Sequence, residues 1–352
     1  MKRIAYIDLM KVYAIFLVIL GHSTILTGYP KQWIYSFHMP LFFALYGMTY
    51  NIDRHVANGF LTVDFVKHRF TRLMVPAIIW AIGYSIATSF FDSSFQSSIL
   101  LRIFYFSQSS LRSAGSLTSI WFIPCMFLAV LLTELTISFI YNKISRKIVV
   151  RNIMILIVIA VYAFVTFALP RISRGYPWCT NLVPLATAMI LIGYLVRQII
   201  DAYSDLCAKQ KFIIPIVLIL SFAILCLASW YNWHFITGNN VDMASAKFGN
   251  PLLYIIGAVA GLFMIVALSK LTSTSSLHPA VAFIGANTYG VFLIHKPIIV
   301  SLGTILATKG YGNLITAFIS AIIVLIISGI TTYIIDKICP ILIGNKKKTS
   351  IL

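Results

Sequence analysis

Long hydrophobic runs recur from one end of the chain to the other. Runs of about 20 residues are long enough to cross a roughly 30 Å hydrocarbon core as helices. Of the 352 residues, 60% are hydrophobic and only 10% are charged, a balance outside the range of soluble domains. The predicted transmembrane segments are approximately Ala5–Leu26, Trp33–Tyr50, Phe70–Phe91, Leu117–Tyr141, Ile148–Leu169, Asn181–Ile200, Phe212–Tyr231, Leu252–Leu271, Ala280–Leu306 and Leu314–Ile335. We therefore predict an all-α fold, a polytopic membrane helix bundle with about ten transmembrane helices.

The net charge of +18 by itself would be compatible with binding to nucleic acid, but the placement of the 27 Lys and Arg argues against such a partner. With Met1 in the cytoplasm, most of them fall on predicted cytoplasmic ends and loops, which is the positive-inside bias of membrane proteins. An even number of spans then places both termini in the cytoplasm. Residues 1–340 are predicted to form one transmembrane domain, and residues 341–352 a basic cytoplasmic tail that attracts anionic membrane lipids.

Cysteines and long loops add two expectations. The five cysteines are dispersed and form no CxxC pair, so neither a metal site nor a disulfide framework is predicted. The longest loops, about Asp92–Ser116 and Asn232–Pro251, lie on the predicted outer side. Loops of such length within a compact bundle are more often functional lids than passive connectors.

Ionisable residues interrupt the first hydrophobic run. Lys11 and His22 are eleven positions apart, about three helical turns, so they lie on nearly the same face and roughly 16 Å apart along the axis. Asp8 is on an adjacent part of that face. Ionisable residues within a membrane span indicate a functional site by default. The structural alternative is that Lys11, near the helix end, snorkels and pairs with Asp8.

Two further histidines are predicted at a similar depth. His38 enters the second run in the sequence FHMPLFF, where Pro40 predicts a kink, and His295 precedes Lys296 in NTYGVFLIHKP on the ninth run. Counting rise along the alternating spans places His22, His38 and His295 in the outer half of the membrane. We interpret this agreement in depth as a buried catalytic pocket, although a single histidine would more often serve as an inter-helix hydrogen bond.

Charged and aromatic residues mark the two membrane surfaces. Arg69 and Arg72 precede the third run at positions i and i+3, and their planar guanidiniums suit the phosphates of a nucleotide-like ligand. Alternatively they are positive-inside anchors. Trp121 and Trp178 fall at predicted outer ends, as aromatic belt residues do. Glu134, inside the fourth run, is interpreted as structural.

These motifs resemble those of membrane-bound acyltransferase family 3, and within it the fucose 4-O-acetylase-like proteins. The resemblance rests on YIDLMKVYAIFLVILGHS, FHMPLFF with the following Gly47, the RFTR pair, WF on the fourth run and NTYGVFLIH. The family's Arg/Lys-x10-His motif falls on Lys11 and His22, and its RxxR motif on Arg69 to Arg72. Lysine at position 11 replaces the commoner arginine, which keeps the charge but loses the bidentate fork.

The resemblance implies an O-acetyltransferase of the bacterial cytoplasmic (inner) membrane. It would move an acetyl group from acetyl-CoA to a hydroxyl of a surface polysaccharide or lipid-linked sugar, with residues 1–340 as the acyltransferase domain. The implied catalytic residues are His22, Lys11, Asp8, His38 and His295. The implied acetyl-CoA-binding residues are Arg69, Arg72 and Lys11, and the sugar-binding candidates are Trp121, Trp178 and Asn287. Intramembrane ionisable residues also mark transport paths, so a transporter or flippase of lipid-linked sugars is the alternative, and a non-catalytic assembly subunit is a third.

Overall fold

A computed structural model describes residues 4–91, 103–107, 111, 119–144, 147–173, 175–203, 210, 212–236, 240–273 and 277–346. Its α-helices are, in chain order, α1 (Ala5–Gly21), α2 (Gly28–Tyr35), α3 (His38–Met48), α4 (Ile52–Asn58), α5 (Val63–Phe91), α6 (Phe122–Phe139), α7 (Ile148–Ala168), α8 (Val183–Ala202), α9 (Ile213–Trp233), α10 (Pro251–Thr272), α11 (Pro279–Ala286), α12 (Thr288–Thr308) and α13 (Leu314–Ile338). A π-helical turn, Ile140–Ile144, extends α6, and short 3-10 turns cover Pro177–Leu182, Met243–Ser245 and Pro340–Ile343.

The all-α, polytopic character of the bundle is confirmed. Among the described residues, eight helical stretches are long and apolar enough to cross a membrane. They correspond to the third through tenth predicted segments. The first predicted segment is a shorter helix of 17 residues that ends at Gly21. The second is divided between α2 and α3, and the ninth between α11 and α12.

The sequence predicted a helix kinked at Pro40, but the structure has a break between two helices instead. Helix α2 ends at Tyr35, Phe37 has φ −146° and ψ −19°, outside the helical region, and α3 starts afresh at His38. Pro40 is therefore in the first turn of α3, where its missing N–H would have had no intrahelical partner. The break turns the chain so that His38 begins a new helix directed into the bundle.

Helix α1 lies at the centre of the bundle. It packs against α3, α10, α11, α12 and α13. Met10, Ala14, Ile15 and Val18 on this helix are fully buried. Helices that are apolar on most faces are buried in this way, and the central position of α1 places both Lys11 and His22 near the bundle axis.

Two glycines hold α3 against α8. A Cβ at Gly47 would overlap the carbonyl oxygen of Ile190, and a Cβ at Gly193 would overlap the carbonyl oxygen of Ala44. Small residues at such crossings let two helix backbones approach closely in a membrane. The contact fixes α3, and with it His38, relative to the rest of the bundle.

The predicted tail begins as part of the bundle. Pro340–Ile343 form a 3-10 turn after α13, and Trp80 on α5 donates its Nε1–H to the carbonyl of Leu342 at 2.9 Å. Residues 347–352 lie outside the described residues, as does most of the predicted lid at 92–116. The division at residue 340 and the cytoplasmic placement of both termini stay predictions.

Candidate active site

A cavity of about 220 Å³ lies at the end of the bundle where α1 terminates. His22, the C-cap of α1, lines it together with His38 at the start of α3. Lys296 on α12 and Trp121, next to the start of α6, contribute two more walls. We call this space the histidine cavity and this end of the bundle the His22 end.

His22 and His295 are direct neighbours. Their ring centroids are 5.4 Å apart with the planes tilted by 32°. His295 is fully buried, and its Nδ1–H donates to the carbonyl oxygen of Phe292 at 2.7 Å. Because a carbonyl can only accept, this bond places the proton of the neutral ring on Nδ1 and leaves a lone pair on Nε2. That Nε2 is buried, and no described residue hydrogen-bonds to it.

His38 has the same orientation. It is 3% exposed, and its Nδ1–H donates to the carbonyl oxygen of Ile34 at 2.9 Å. The Tyr35 ring lies against it, with centroids 4.8 Å apart. The neutral ring therefore also carries its lone pair on Nε2. The three histidines predicted at one depth thus meet at one place in the fold.

Asp242 is a cavity residue that the sequence analysis missed. It comes from the segment between α9 and α10 and, among the described residues that line the histidine cavity, is the only acidic one. Its carboxylate accepts hydrogen bonds from the N–H of Ala244 at 3.1 Å and from the hydroxyl of Ser245 at 2.6 Å. It interacts electrostatically with Lys31 and Lys296. The sequence feature that could have identified it is the small number of acidic residues: the chain has only nine, and this one lies in a long predicted outer loop.

The Asp242 segment is anchored to the bundle by two buried amides. Gln32 on α2 is fully buried, and its Oε1 accepts the N–H of Val241 at 2.7 Å. Asn232 donates to the carbonyl of Phe248 at 2.9 Å and accepts the N–H of Asn250 at 2.7 Å. The described part of this loop is therefore a fixed wall of the histidine cavity.

Lys11 and Asp8 lie at the opposite end of the bundle, the Lys11 end. The Lys11 Nζ is 3.3 Å from Asp8 Oδ1. Both residues line a separate cavity of about 1060 Å³, together with Arg151 on α7 and Arg197 on α8. We call it the Lys11 cavity.

The two cavities are separated along α1. Ile15 and Val18 follow Lys11 at helical spacing on the face that leads to His22, and both are fully buried. The row between Lys11 and His22 is therefore filled by packed side chains.

Arg69 and Arg72 diverge instead of forming one clamp. The Arg69 guanidinium lies over the rings of Tyr46 and Phe65, at 5.3 and 5.0 Å from their centroids. Arg72 donates its Nε–H to the carbonyl of Gly344 at 2.8 Å. Neither arginine lines the Lys11 cavity.

The three predicted sugar-binding residues are also separated. Trp121 lines the histidine cavity, but Trp178 donates its Nε1–H to the carbonyl of Phe104 at 2.8 Å and is not among the lining residues. Asn287 joins α11 to α12, and its Oδ1 accepts from Nδ2 of Asn345 at 2.8 Å. The adjacent Ala286 lines the Lys11 cavity, so Asn287 lies near the Lys11 end and is not among the residues that line the histidine cavity.

Glu134 belongs to an interior polar pair. It is fully buried, and its Oε2 is 3.0 Å from Nδ1 of His55. The ring of Tyr50 stacks on His55 with centroids 4.3 Å apart. Within the described parts of the chain, no group of three or more His, Cys, Asp or Glu has the arrangement of a metal site.

Comparisons with known proteins identify the family to which this chain belongs. The acyltransferase domain family matches residues 4–333. Nodulation protein NolL of Sinorhizobium fredii (strain NBRC 101917 / NGR234) is 25% identical over 309 residues, which cover 82% of this chain and 75% of NolL. No solved structure matches the chain. With nearly its whole length matched, the chain belongs to acyltransferase family 3 and is a multi-pass membrane acyltransferase.

Proposed function

We propose that the protein is an O-acetyltransferase of the bacterial cytoplasmic membrane, moving an acetyl group from acetyl-CoA to a hydroxyl of a surface polysaccharide or lipid-linked sugar. The observation that carries the proposal is the histidine cavity, in which His22 and His38 face Lys296 and Asp242. Imidazoles are the commonest general acid–base groups in enzymes. The family assignment supplies the reaction class.

In the proposed reaction His22 accepts the proton of the sugar hydroxyl as the oxygen attacks the thioester carbonyl. The resulting imidazolium then protonates the departing CoA thiolate, so His22 returns to its neutral form. His295 lies beside His22 with a lone pair on its buried Nε2. It is suited to accept an N–H from His22 and so to orient that ring.

The negative charge of the tetrahedral intermediate needs donors. The neutral rings of His38 and His295 present lone pairs at Nε2 and cannot supply an N–H there. Lys296, which lines the same cavity, is a cationic donor, and Lys31 on α2 is a second. We therefore assign oxyanion stabilisation to these lysines.

The acceptor sugar is proposed to enter at the His22 end. The histidine cavity is small and combines the aromatic rings of Trp121 and Tyr35 with polar groups. Ligand sites commonly pair apolar and aromatic walls with a few placed polar groups. A volume of about 220 Å³ suits a single sugar ring with its reacting hydroxyl.

The donor is proposed to enter at the Lys11 end, which the positive-inside pattern assigns to the cytoplasm. The Lys11 cavity is large enough for the nucleotide portion of acetyl-CoA. From Lys11 to His22 is about three helical turns, or roughly 16 Å, and the pantetheine arm of CoA must cover this distance. Since Ile15 and Val18 fill that row, donor binding requires their side chains to move aside.

Two routes for the acetyl group remain part of the proposal. In direct transfer, donor and sugar occupy the protein together, and no acetyl-enzyme accumulates. In a relay, His22 is acetylated first and passes the group on. Mass spectrometry of protein incubated with acetyl-CoA in the absence of sugar distinguishes them, because only the relay adds an acetyl mass to His22.

The test of the proposed function is the acetyl content of the host's surface polysaccharide, measured by mass spectrometry with and without the protein. We expect the acetyl mass to disappear with the protein and with His22→Ala. The matched control is His234→Ala, because His234 is an exposed histidine outside the cavity, near the same end. Normal acetylation by His22→Ala, inserted at wild-type level, would contradict the proposal.

A further inference from the structure

Arg72 borders a third cavity, at the edge of the bundle. This space of about 720 Å³ lies between the first turns of α5 and the turn that follows α13. Lys67, His68, Arg72 and Lys346 line it, against one acidic residue, Asp64. We call it the Arg72 cleft. Its excess of cationic side chains predicts an anionic ligand.

The cleft is a preformed structure. The Arg72 Nε–H holds the carbonyl of Gly344, and Trp80 holds the carbonyl of Leu342 in the same turn. Asn345 donates to Asp336 Oδ1 at 2.7 Å. The Gly344 bond uses only Nε of Arg72, and the side chain is exposed and lines the cleft, which leaves its terminal nitrogens available to a ligand. Two terminal N–H groups on one guanidinium match the oxygens of a phosphate.

An apolar surface leads from the cleft into the membrane. Ile338, which lines the cleft, is 77% exposed. Ile334 and Ile330 are 49% and 57% exposed and precede it at intervals of four residues, so they form one stripe along α13. Ile341, on the turn beneath, is 46% exposed. A ligand in the cleft would therefore contact cationic side chains at the helix ends and aliphatic side chains along α13.

We propose that the Arg72 cleft binds an anionic phospholipid, with the phosphate among Lys67, Arg72 and Lys346 and an acyl chain along the stripe of α13. The group that the cleft would bind is a phosphate, and the nucleotide end of CoA also carries phosphates. The lipid is favoured because the cleft opens at the periphery beside exposed isoleucines, whereas Arg72 does not line the central Lys11 cavity. This assignment is independent of the proposed acetyl transfer.

The experiment uses the purified full-length protein in nanodiscs of phosphatidylcholine, with or without phosphatidylglycerol. Retained phosphatidylglycerol is counted by native mass spectrometry, and Tm is measured in both lipids. The test variant is Lys67→Gln with Lys346→Gln, which leaves the bond between Arg72 and Gly344 intact. Lys309→Gln is the matched control, an exposed lysine at the end of α12.

We expect phosphatidylglycerol to raise the Tm of the wild type and of Lys309→Gln but not of the double variant. Retention of the lipid should fall roughly tenfold or more in the double variant, since each basic residue near an anionic surface contributes substantially to lipid attraction. Equal retention and an equal rise in Tm in the double variant would overturn the proposal. Adenosine 3′,5′-bisphosphate in phosphatidylcholine nanodiscs is the second arm. If it raises Tm through these lysines while phosphatidylglycerol does not, the cleft is a nucleotide site and the lipid assignment is wrong.

Discussion

His22 and His295 lie with their ring centroids 5.4 Å apart, and the Nδ1–H of His295 is held by the carbonyl of Phe292. Imidazoles joined by an N–H···N hydrogen bond have centroids roughly 5 Å apart. A small rotation of His22 would therefore bring one of its N–H groups onto the unpartnered Nε2 of His295. The other ring nitrogen of His22 would then be the one that faces the substrate.

Two substitutions of His295 separate orientation of His22 from a packing role. His295→Gln keeps an acceptor near the position of Nε2, whereas His295→Asn keeps a donor for Phe292 and removes that acceptor. If His295 orients His22, we expect kcat to fall less in the glutamine variant than in the asparagine variant, whose loss should be roughly 10- to 100-fold. The measurement is acetyl transfer at saturating acetyl-CoA. The opposite order would show that the bond to Phe292 is what matters.

Asp242→Asn tests the charge balance of the histidine cavity. Asparagine retains an acceptor for the N–H of Ala244 but removes the carboxylate that faces Lys31 and Lys296. Leaving two cations without their counter-charge should lower acetyl transfer roughly tenfold or more. Ser245→Ala, which removes one hydrogen bond to the carboxylate but keeps the charge, should have a much smaller effect. Equal activities of the two variants would argue against a role for the charge.

Asp242→Asn should also move the alkaline limit of activity to a lower pH. Burial lowers the pKa of Lys31, which lies outside the eight spanning stretches, and Asp242 raises it. Removing Asp242 removes the charge that raises this pKa, so the pKa falls further. Because a lysine is cationic only below its pKa, Lys31 then loses its positive charge at a lower pH. A profile of rate against pH for Asp242→Asn should therefore decline at lower pH than that of the wild type. An unchanged alkaline limb would exclude Lys31 as a required cation.

Gln32→Leu should destabilise the fold and the site together. The substitution leaves the N–H of Val241 without its acceptor in a fully buried position, which costs about 1–3 kcal/mol. We expect a lower Tm and, because Val241 adjoins Asp242, a lower rate of acetyl transfer. Gln32→Glu keeps an oxygen acceptor at the same length and should retain more of the stability at a pH low enough to protonate its buried carboxyl, which can then donate to the carbonyl of Ser229 as Gln32 does. Unchanged Tm in Gln32→Leu would mean that the loop does not depend on this anchor.

Glycine substitutions test the contact between α3 and α8. Gly47→Ala or Gly193→Ala would drive a methyl group into the backbone of the facing helix, at a cost of about 3 kcal/mol or more. Gly83→Ala on α5 is the matched control, because a Cβ there meets no atom within 4 Å. It should leave Tm unchanged or raise it slightly, since alanine favours a helix by about 0.5–1 kcal/mol. Thermal unfolding in detergent measures all three, and equal Tm values would contradict the close crossing.

The sequence predicted two groups of neighbouring residues, and only one of them is found together in the fold. Counting helical rise from each predicted membrane surface placed His22, His38 and His295 at one depth, and they are neighbours in the fold. The same reasoning joined Arg69 and Arg72 as one clamp, yet the first packs on aromatic rings and the second holds a carbonyl from the end of the chain. Depth follows from local helix geometry, whereas the direction of a long side chain depends on partners that lie far away in sequence.

The sequence by itself determined the eight long apolar helices of the described residues. In lipid each backbone N–H and C=O must be satisfied within its own segment, so a hydrophobic run such as 148–168 becomes a helix wherever it packs. Tertiary structure alone decided that Asp242 faces Lys296 and that Asn287 lies beside Asn345. It also decided that Ile15 and Val18 close the row between Lys11 and His22. Helix formation is a local response to the solvent, but a cavity is the space left between distant segments, and only their mutual packing fixes its walls.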